Sequence, residues 1–203
     1  MQKKAKKVNV VVFDFDGTLS AYDANYEFGK YCFRHSLRAW LFLPLTAFGM
    51  SFRKMQPNAV WWRQVGRRFI NAKMVKRLAP DFIKQHKLNR FGWAAERVMA
   101  EKDAGNIVLL ISASPNYLLR PLVRDMAFDD VICSEMYAKK PWKYHFLCYN
   151  KNKVVALNKW AKKHNVVLNV VRSYSDSSSD MPIMEIAREQ VWIDRKTGGR
   201  ISK

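Results

Sequence analysis

The sequence predicts an α/β protein: a doubly wound, parallel, five-stranded Rossmann-like sheet with a helical cap inserted after the first strand. Five short runs of apolar, often β-branched residues lack the alternation of a half-exposed strand. This pattern is typical of strands that are buried on both faces of a parallel sheet. Helical patterns separate most of these runs, and strands that alternate with helices indicate a doubly wound sheet.

The predicted strands cover residues 9–13, 107–111, 130–133, 167–171 and 190–193. After the second run, Pro115 stands where a helix can begin, and apolar residues from Tyr117 to Met126 continue a helical face. A helix at this position would provide the crossover to the third strand.

The segment between the first two strands, residues 20–105, is too long for a simple crossover connection. Apolar residues recur in it at helical spacing, for example at Phe28 and Cys32 and at Leu78 and Phe82. We therefore predict a cap of three or four helices at 20–105 and a Rossmann-like core formed by 1–19 and 106–203.

The chain is strongly basic, with 36 Lys and Arg against 17 Asp and Glu and a net charge of +19. This charge predicts an anionic partner, but phosphorylated small molecules, anionic lipid and nucleic acid all satisfy it. Three cysteines, an odd number without a CxxC pair, indicate reduced thiols, and no export signal is visible. We expect a cytoplasmic protein, with a peripheral position at the inner face of the cytoplasmic membrane as a further option.

The run VVVFDFDGTL at residues 10–19 is the most informative part of the sequence. A buried strand ends there in two carboxylates, Asp14 and Asp16, followed by Gly17. Residues two apart on a strand point the same way, so both acids are expected to face the crevice at the carboxyl ends of the strands. The alternative is that they merely cap the next helix.

The DFDGT sequence at 14–18 resembles the first motif of the haloacid dehalogenase-like hydrolase superfamily. The resemblance implies that Asp14 attacks phosphorus to form an aspartyl-phosphate, while Asp16 protonates the leaving oxygen and later activates water. A carboxylate is already ionised at neutral pH, so it can act as a nucleophile without prior activation. Dehalogenases lack the second acid and cation pumps replace it with Thr, so Asp16 implies a phosphatase or phosphotransferase.

The same resemblance extends to the sequence after the second predicted strand, LLISASP. It implies that the Ser112 hydroxyl binds the substrate phosphate, with Gly17, Thr18 and Ala113 beside it. We assign Ser114 a different role, as the N-cap of the helix that begins at Pro115.

The third motif of the family is a lysine at a helix start, which the resemblance places at Lys153 in CYNKNKVVAL, with Lys151 as the rival. Its positive charge would lie between the Asp14 carboxylate and the substrate phosphate, and it would neutralise the charge of these two anions as they meet. Asn150 stands where this branch of the family often has Gly, and this departure weakens the assignment of Lys153.

The fourth motif is YSDSSSDMPIM, in which Asp176 and Asp180 are four apart and would share a face if a helix has begun. The resemblance implies that Asp176, Asp14 and the backbone carbonyl of Asp16 bind Mg²⁺, which prefers oxygen ligands. Asp180 would orient a metal-bound water or Lys153.

The position of the cap between the first two motifs resembles the phosphoserine-phosphatase-like branch. More narrowly, the apolar cap and the YSDSxxDxP run resemble bacterial phosphatidylglycerophosphate phosphatases of the class C type. The implied activity is Mg²⁺-dependent hydrolysis of a phosphomonoester, either a lipid phosphate such as phosphatidylglycerophosphate or a soluble substrate like phosphoserine.

An uncharged apolar stretch at residues 39–52 lies within the predicted cap and is too short to span a bilayer. It is either buried cap core or a shallow interfacial hairpin. The second interpretation is favoured by nearby tryptophans and basic residues, which suit an anionic membrane surface. These are Trp40, Trp61, Trp62, Arg34, Arg38, Arg53, Lys54, Arg63, Arg67 and Arg68.

Two other classes of protein fit parts of this pattern. A phospho-acceptor receiver domain shares the parallel sheet and Mg²⁺, but its phosphorylated Asp lies on a middle strand and it has no large insertion after the first. A basic nucleic-acid-binding module would fit the net charge, yet no nucleic-acid motif is present, so no specific nucleic acid is expected.

Overall fold

The computed structural model describes residues 5–55 and 64–202 of the 203-residue chain, and the side chains of 5–51, 64–87 and 89–202. Three residues of the predicted membrane-facing set, Trp61, Trp62 and Arg63, lie outside the described residues. The side chains of Arg53 and Lys54 lie outside them as well.

The described residues form one seven-stranded sheet with the strand order β4-β3-β2-β1-β5-β6-β7. The strands are β1 Lys6–Phe13, β2 Ile107–Pro115, β3 Asp130–Tyr137, β4 Lys140–Phe146, β5 Val166–Ser175, β6 Glu189–Ile193 and β7 Arg200–Ile201.

All five predicted strands are present and pair in parallel, from β3 through β2, β1 and β5 to β6. The prediction of a wholly parallel sheet of five strands is wrong in one respect, because antiparallel strands β4 and β7 extend the two edges. Neither carries the continuous apolar run of a buried strand. The β4 sequence KPWKYHF is half exposed, and β7 has only two residues.

Strand β1 is buried on both faces, as its sequence predicts. Val11 and Phe13 belong to one apolar cluster, and Val10 and Val12 belong to a second cluster on the opposite face of the sheet. The first cluster includes residues of the helices between β1 and β2, and the second includes Leu157 of the helix before β5. The sheet therefore lies between two layers, as in a doubly wound fold.

The helical segment between β1 and β2 contains α1 Ala24–His35, α2 Leu37–Leu41, α3 Leu43–Met55, α4 Ala72–His86, a 3₁₀ turn at Lys87–Asn89 and α5 Ala94–Asp103. After β2 come α6 Asn116–Leu122, α7 Lys151–His164, a 3₁₀ turn at Ser178–Asp180 and α8 Met181–Met184.

Local sequence explains where the two main cap helices begin. Asp23 accepts a hydrogen bond from the N–H of Tyr26 at 2.7 Å, and Asn71 accepts one from the N–H of Met74 at 2.8 Å. Each side chain thereby satisfies a free N–H at a helix start. The two helices then pack through Phe28 and Phe82, whose ring centroids lie 5.2 Å apart.

The chain leaves and re-enters the core at neighbouring points. The N–H of Phe91 donates to the carbonyl of Leu19 at 3.0 Å, and the N–H of Ala21 donates to the carbonyl of Asn89 at 3.2 Å. Helix α5 follows and buries Val98 in the core beside the sheet. The exact division of the chain at 19/20 and 105/106 stays a prediction.

The apolar stretch in α2 and α3 faces outward to a large extent. Leu37 is 86% exposed, Leu41 is 81% exposed and Trp40 is 56% exposed, whereas Ala39, Thr46 and Gly49 are buried. The interpretation of this stretch as buried cap core therefore does not hold for Trp40 and Leu41, whereas Phe42 is partly buried and packs against the core. Across 5–55 and 64–202, no helix is long and apolar enough to cross a membrane.

Candidate active site

Three charged side chains meet at the carboxyl end of β1. Asp14 follows the strand directly, and its N–H continues the pairing with β5 by donating to the carbonyl of Tyr174 at 3.0 Å. The Nζ of Lys153 lies 2.8 Å from Asp14 Oδ1 and 2.7 Å from Asp180 Oδ2. All three side chains are buried, so a cation is held between two carboxylates away from bulk water.

The structure distinguishes the two candidate lysines. Lys153 is only 2% exposed and lies in the first turn of α7, whereas Lys151 is exposed at its start. Asn150, which stands where the family often has Gly, has a φ of 53°. With a ψ of −131°, this conformation lies outside the left-handed helical region that Asn adopts readily, so the position favours glycine.

The Asp16 carboxylate is held by three donors. Its Oδ1 accepts from the N–H of Ala24 at the start of α1 at 2.7 Å. Its Oδ2 accepts from the hydroxyl of Ser114 at 2.5 Å and from the hydroxyl of Ser112 at 3.4 Å. Asp16 therefore links the start of the cap to the end of β2.

The prediction that Ser114 caps the next helix is wrong. Strand β2 continues to Pro115, helix α6 begins one residue later, and no side chain caps it. Ser114 is still on the strand, so it shares a direction with Ser112, two residues before it. That spacing was visible in the sequence and could have placed both hydroxyls at Asp16.

Ser112 and Ala113 lie where the resemblance places them, at the end of β2. The buried Ser112 hydroxyl also accepts from the N–H of Ser114 at 3.1 Å. The Ala113 carbonyl accepts from the hydroxyl of Ser134 on β3 at 2.7 Å, which fixes this end of the strand.

Gly17, Thr18 and Asp176 form a close contact beside these acids. Gly17 has a φ of +84°, and a Cβ on it would lie 2.3 Å from Asp176 Oδ2, so only glycine fits. The Thr18 hydroxyl donates to Asp176 Oδ1 at 3.2 Å and accepts from the N–H of Asp176 at 3.0 Å.

Asp176 and Asp180 do not share a helical face, because the condition of that prediction is not met and no helix has begun at Asp176. Asp176 lies before the helical turn and Asp180 lies within the 3₁₀ turn. Asp180 points to Lys153 and accepts from the Ser175 hydroxyl at 2.8 Å. The loop brings each acid to a different partner, with Asp176 near Thr18 and Asp180 near Lys153.

Arg195, which follows β6, was not among the site residues predicted from the sequence. Its Nε lies 3.0 Å from Asp176 Oδ2, and its Nη2 lies 3.4 Å from the carbonyl oxygen of Asp16. Two of the three oxygen groups predicted to bind Mg²⁺ are therefore already arranged around one positive charge. No sequence pattern near Arg195 indicated this contact, because it depends on how the loop after β6 returns to β1.

Buried negative charge dominates the site. Burial raises the pKa of Asp14 well above its usual range, although Lys153 lowers it. Burial also raises the pKa of Asp16 to about 7, and it raises the pKa of Asp176 against the opposing effect of Arg195. Burial lowers the pKa of Lys153, but attraction to Asp14 and Asp180 reverses this, so the pKa is raised and the amine stays protonated.

These features fit a divalent cation. Asp14 and Asp176 supply carboxylates and Asp16 supplies a carbonyl, which are hard oxygen ligands of the kind that Mg²⁺ takes in small numbers. Among the described residues, no group of three His, Cys, Asp or Glu side chains could hold a metal ion. The predicted ligand set does not require such a group, because it consists of two carboxylates and one backbone carbonyl. A cation would offset the excess of buried carboxylates.

The sequence matches a protein family over residues 11–185, the larger part of the chain, and this family is described as haloacid dehalogenase-like hydrolase. The chain belongs to that family. The match spans every residue of the site except Arg195, from Asp14 through Lys153 to Asp180.

Other comparisons agree with membership of the haloacid dehalogenase-like hydrolases. A probable phosphatase of Mycobacterium tuberculosis is 29% identical over 98 residues, which cover 47% of this chain and 34% of that protein. The chain thus matches about a third of the length of this curated relative.

Two solved structures share the fold. A protein of unknown function from Bordetella pertussis Tohama I has a TM-score of 0.80 and 16% identity, covering 93% of this chain and 91% of its own. A phospho-aspartyl intermediate analogue of phosphoserine phosphatase has a TM-score of 0.60 and 17% identity, covering 94% and 87%. At these identities the likeness shows the fold alone.

Proposed function

We propose that the protein is a Mg²⁺-dependent phosphomonoester hydrolase that acts through an aspartyl-phosphate on Asp14. The observation that carries this proposal is the buried Lys153, held between Asp14 and Asp180 beside an independently fixed Asp16. Desolvating three carboxylates is costly, and a chemical role for the charges accounts for it. The solved phosphoserine phosphatase with a phospho-aspartyl analogue on the same fold supports this role.

The first half of the reaction forms the covalent intermediate. A carboxylate oxygen of Asp14 attacks phosphorus, the bond from phosphorus to the leaving oxygen breaks, and Asp16 gives that oxygen a proton. Lys153 offsets the repulsion between Asp14 and the incoming phosphate. Ser112, Thr18 and the backbone at Gly17 and Ala113 would contact the phosphate oxygens.

The second half releases phosphate. Asp16, now ionised, takes a proton from water as the water oxygen attacks phosphorus, and the bond between phosphorus and Asp14 breaks. Both acids return to their starting states. Bound by Asp14, Asp176 and the Asp16 carbonyl, Mg²⁺ would supply positive charge that neutralises phosphate oxygens. Asp180 keeps Lys153 aimed at Asp14 through its 2.7 Å contact.

Phosphate release from a generic aryl phosphate tests the activity. We expect turnover that needs Mg²⁺, and its loss in Asp14→Asn. An acid-quenched reaction should leave a phosphoryl group on the peptide that contains Asp14. Asp103→Asn, an exposed acid at the end of α5, is the matched control. Turnover retained by Asp14→Asn would exclude the covalent mechanism.

We further propose that the substrate is a lipid phosphate met at an anionic membrane surface. The support comes from the exposed side chains of Leu37, Trp40 and Leu41 on helix α2, close in sequence to Arg34 and Arg38. Apolar side chains enter the interface, and each nearby basic residue contributes about 1 kcal/mol at an anionic surface.

Cosedimentation with vesicles tests the membrane contact. Wild type should bind vesicles that contain anionic phospholipid better than neutral vesicles, and salt should weaken the binding. The double variant Leu37→Gln with Leu41→Gln should bind less, whereas Met99→Gln, the same kind of change at an exposed position of α5, should not. Equal binding to both kinds of vesicle would contradict the proposal.

A substrate screen separates the remaining alternatives. Turnover of phosphatidylglycerophosphate in detergent micelles supports a lipid substrate, whereas turnover of phosphoserine alone would indicate a soluble one. Salt-sensitive RNA or DNA binding that persists in Asp14→Asn, with no phosphatase activity in wild type, would favour a nucleic-acid-binding module.

A further inference from the structure

The hairpin formed by β3 and β4 projects beyond the edge of the sheet where the acids of the site meet. Strand β2 ends at Pro115, which pairs with Ser134, and β3 then continues for three more residues to Tyr137. At about 3.3 Å per residue, the tip of the hairpin lies roughly 10 Å past the end of β2. Ligands reach parallel sheets of this kind at the carboxyl ends of the strands, so the hairpin tip stands on the side from which a substrate arrives.

The exposed surface of this hairpin is basic and partly aromatic. Lys139, Lys140 and Lys143 are exposed, and the sequence from 136 to 175 contains no Asp or Glu. The Nζ of Lys143 lies 5.5 Å from the ring centroid of Tyr137, which is 45% exposed. Basic side chains beside an exposed aromatic ring suit the headgroup region of an anionic bilayer.

The hairpin is held against the cap. Arg67 donates through Nη1 to the Tyr144 hydroxyl at 2.9 Å, and the guanidinium of Arg68 lies over the Trp142 ring at 5.4 Å from its centroid. Both arginines belong to the segment before α4, which packs on α3, since a Cβ at the neighbouring Gly66 would lie within 4 Å of the α3 backbone. Helix α3 follows α2 directly. The hairpin and the exposed apolar side chains of α2 are therefore joined through one continuous set of packed elements.

We infer that the β3–β4 hairpin is a second contact with an anionic membrane surface, made through Lys139, Lys140 and Lys143. This inference rests on the proposed lipid substrate and names the surface through which the enzyme would reach it. A single contact at α2 leaves the molecule free to tilt on the bilayer. A second contact at the hairpin turns the carboxyl edge of the sheet toward the bilayer, so that the site faces the headgroups.

The opposite end of the molecule offers a matched control. Lys162 and Lys163 are adjacent exposed lysines in the last turn of α7, just as Lys139 and Lys140 are adjacent and exposed at the hairpin. Helix α7 ends just before β5, and the first residue of β5 pairs with the first residue of β1. The control pair therefore lies at the amino edge of the sheet, about 25 Å from the site by the length of β1.

Cosedimentation with vesicles that contain anionic phospholipid compares the two pairs. The double variant Lys139→Gln with Lys140→Gln should lower the partition coefficient about 30-fold, because each basic residue near the surface contributes about fivefold. Lys162→Gln with Lys163→Gln removes the same charge and should leave the partition coefficient nearly unchanged. At about 0.1 M salt, charges at that distance are screened from the bilayer.

A fluorescent label at the hairpin tests the orientation directly. The three native cysteines are buried, so an environment-sensitive dye on Ala138→Cys, at the exposed turn, reports on the hairpin tip. Its emission should shift to the blue when anionic vesicles are added, and neutral vesicles should produce a smaller shift. The same dye on Lys163→Cys should show no shift with either kind of vesicle.

The outcomes separate this inference from the proposed function. Equal loss of vesicle binding in the two lysine pairs, or an unshifted label at Ala138→Cys while the protein binds vesicles, would refute the hairpin contact. Loss of salt-sensitive RNA binding in the hairpin pair, with vesicle binding unchanged, would refute the lipid partner in favour of nucleic acid. These measurements need no turnover, so they decide the hairpin contact even if wild type releases no phosphate, the result that would overturn the phosphatase proposal.

Discussion

Replacing Lys153 with methionine tests the centre of the proposed site. Methionine keeps most of the length of the side chain but removes the charge, so the 2.8 Å and 2.7 Å contacts to Asp14 and Asp180 are lost. Two buried carboxylates then face each other without a cation. Breaking a buried ion pair in this way costs about 3–5 kcal/mol. For a domain of this size, about 2–4 °C per kcal/mol predicts a melting temperature lower by roughly 6–20 °C.

The activity of Lys153→Met should also fall, by about 10²–10³-fold in kcat on an aryl phosphate, the effect of losing one preorganised charge or donor. Lys151→Met is the matched control, because Lys151 is exposed two residues earlier and should change stability by no more than about 0.5 kcal/mol. Adding Asp180→Asn to Lys153→Met should recover part of the lost stability, since one unpaired carboxylate is removed.

Thermal unfolding followed by circular dichroism measures the stability of these variants, and phosphate release measures their activity. A Lys153→Met protein that melts with wild type would refute the buried ion triad. Loss of activity in Lys151→Met with none in Lys153→Met would show that the rival lysine serves the site.

Individual contacts lead to three further predictions. Ser114→Ala removes the 2.5 Å hydrogen bond to Asp16 and should lower kcat about tenfold or more; unchanged kcat would show that Ser114 has no part in the reaction. Arg195→Ala removes the positive charge that contacts Asp176 and the Asp16 carbonyl, two predicted Mg²⁺ ligands, so Mg²⁺ should bind more tightly. Calorimetry and the Mg²⁺-dependent rise in melting temperature measure this; weaker binding would show that Arg195 does not compete with Mg²⁺. Burial lowers the pKa of His86, so the unfolded chain binds more protons than the folded one below about pH 6.5. The contribution of His86 to stability should therefore fall as the pH drops from 6.5 to 5, while the raised pKa of Asp16 acts in the opposite direction. Over this range His86→Gln should gain stability relative to wild type in thermal unfolding; a constant difference between the two proteins would exclude this effect of His86.

Much of the fold followed from the sequence because it depends on local patterns. A strand buried on both faces needs a continuous apolar run, and all five such runs became parallel strands. The edge strands β4 and β7 escaped prediction because an edge position requires neither length nor continuous apolarity. Their pairing is decided by the neighbouring strand and not by their own residues.

In the candidate site too, some residues could be predicted from the sequence and others depend on the tertiary structure. The sequence alone predicted Asp14, Asp16 and Gly17 as site residues, because two acids and a glycine directly after a buried apolar run form a local pattern. Only the tertiary structure decided that Lys153 and not Lys151 reaches Asp14, 139 residues away, and that Ser114 and Arg195 contact Asp16. It also decided that Arg67 is buried while Leu37 and Leu41 face outward. Such contacts depend on how distant elements pack, and the residues adjacent in the chain carry no record of that packing.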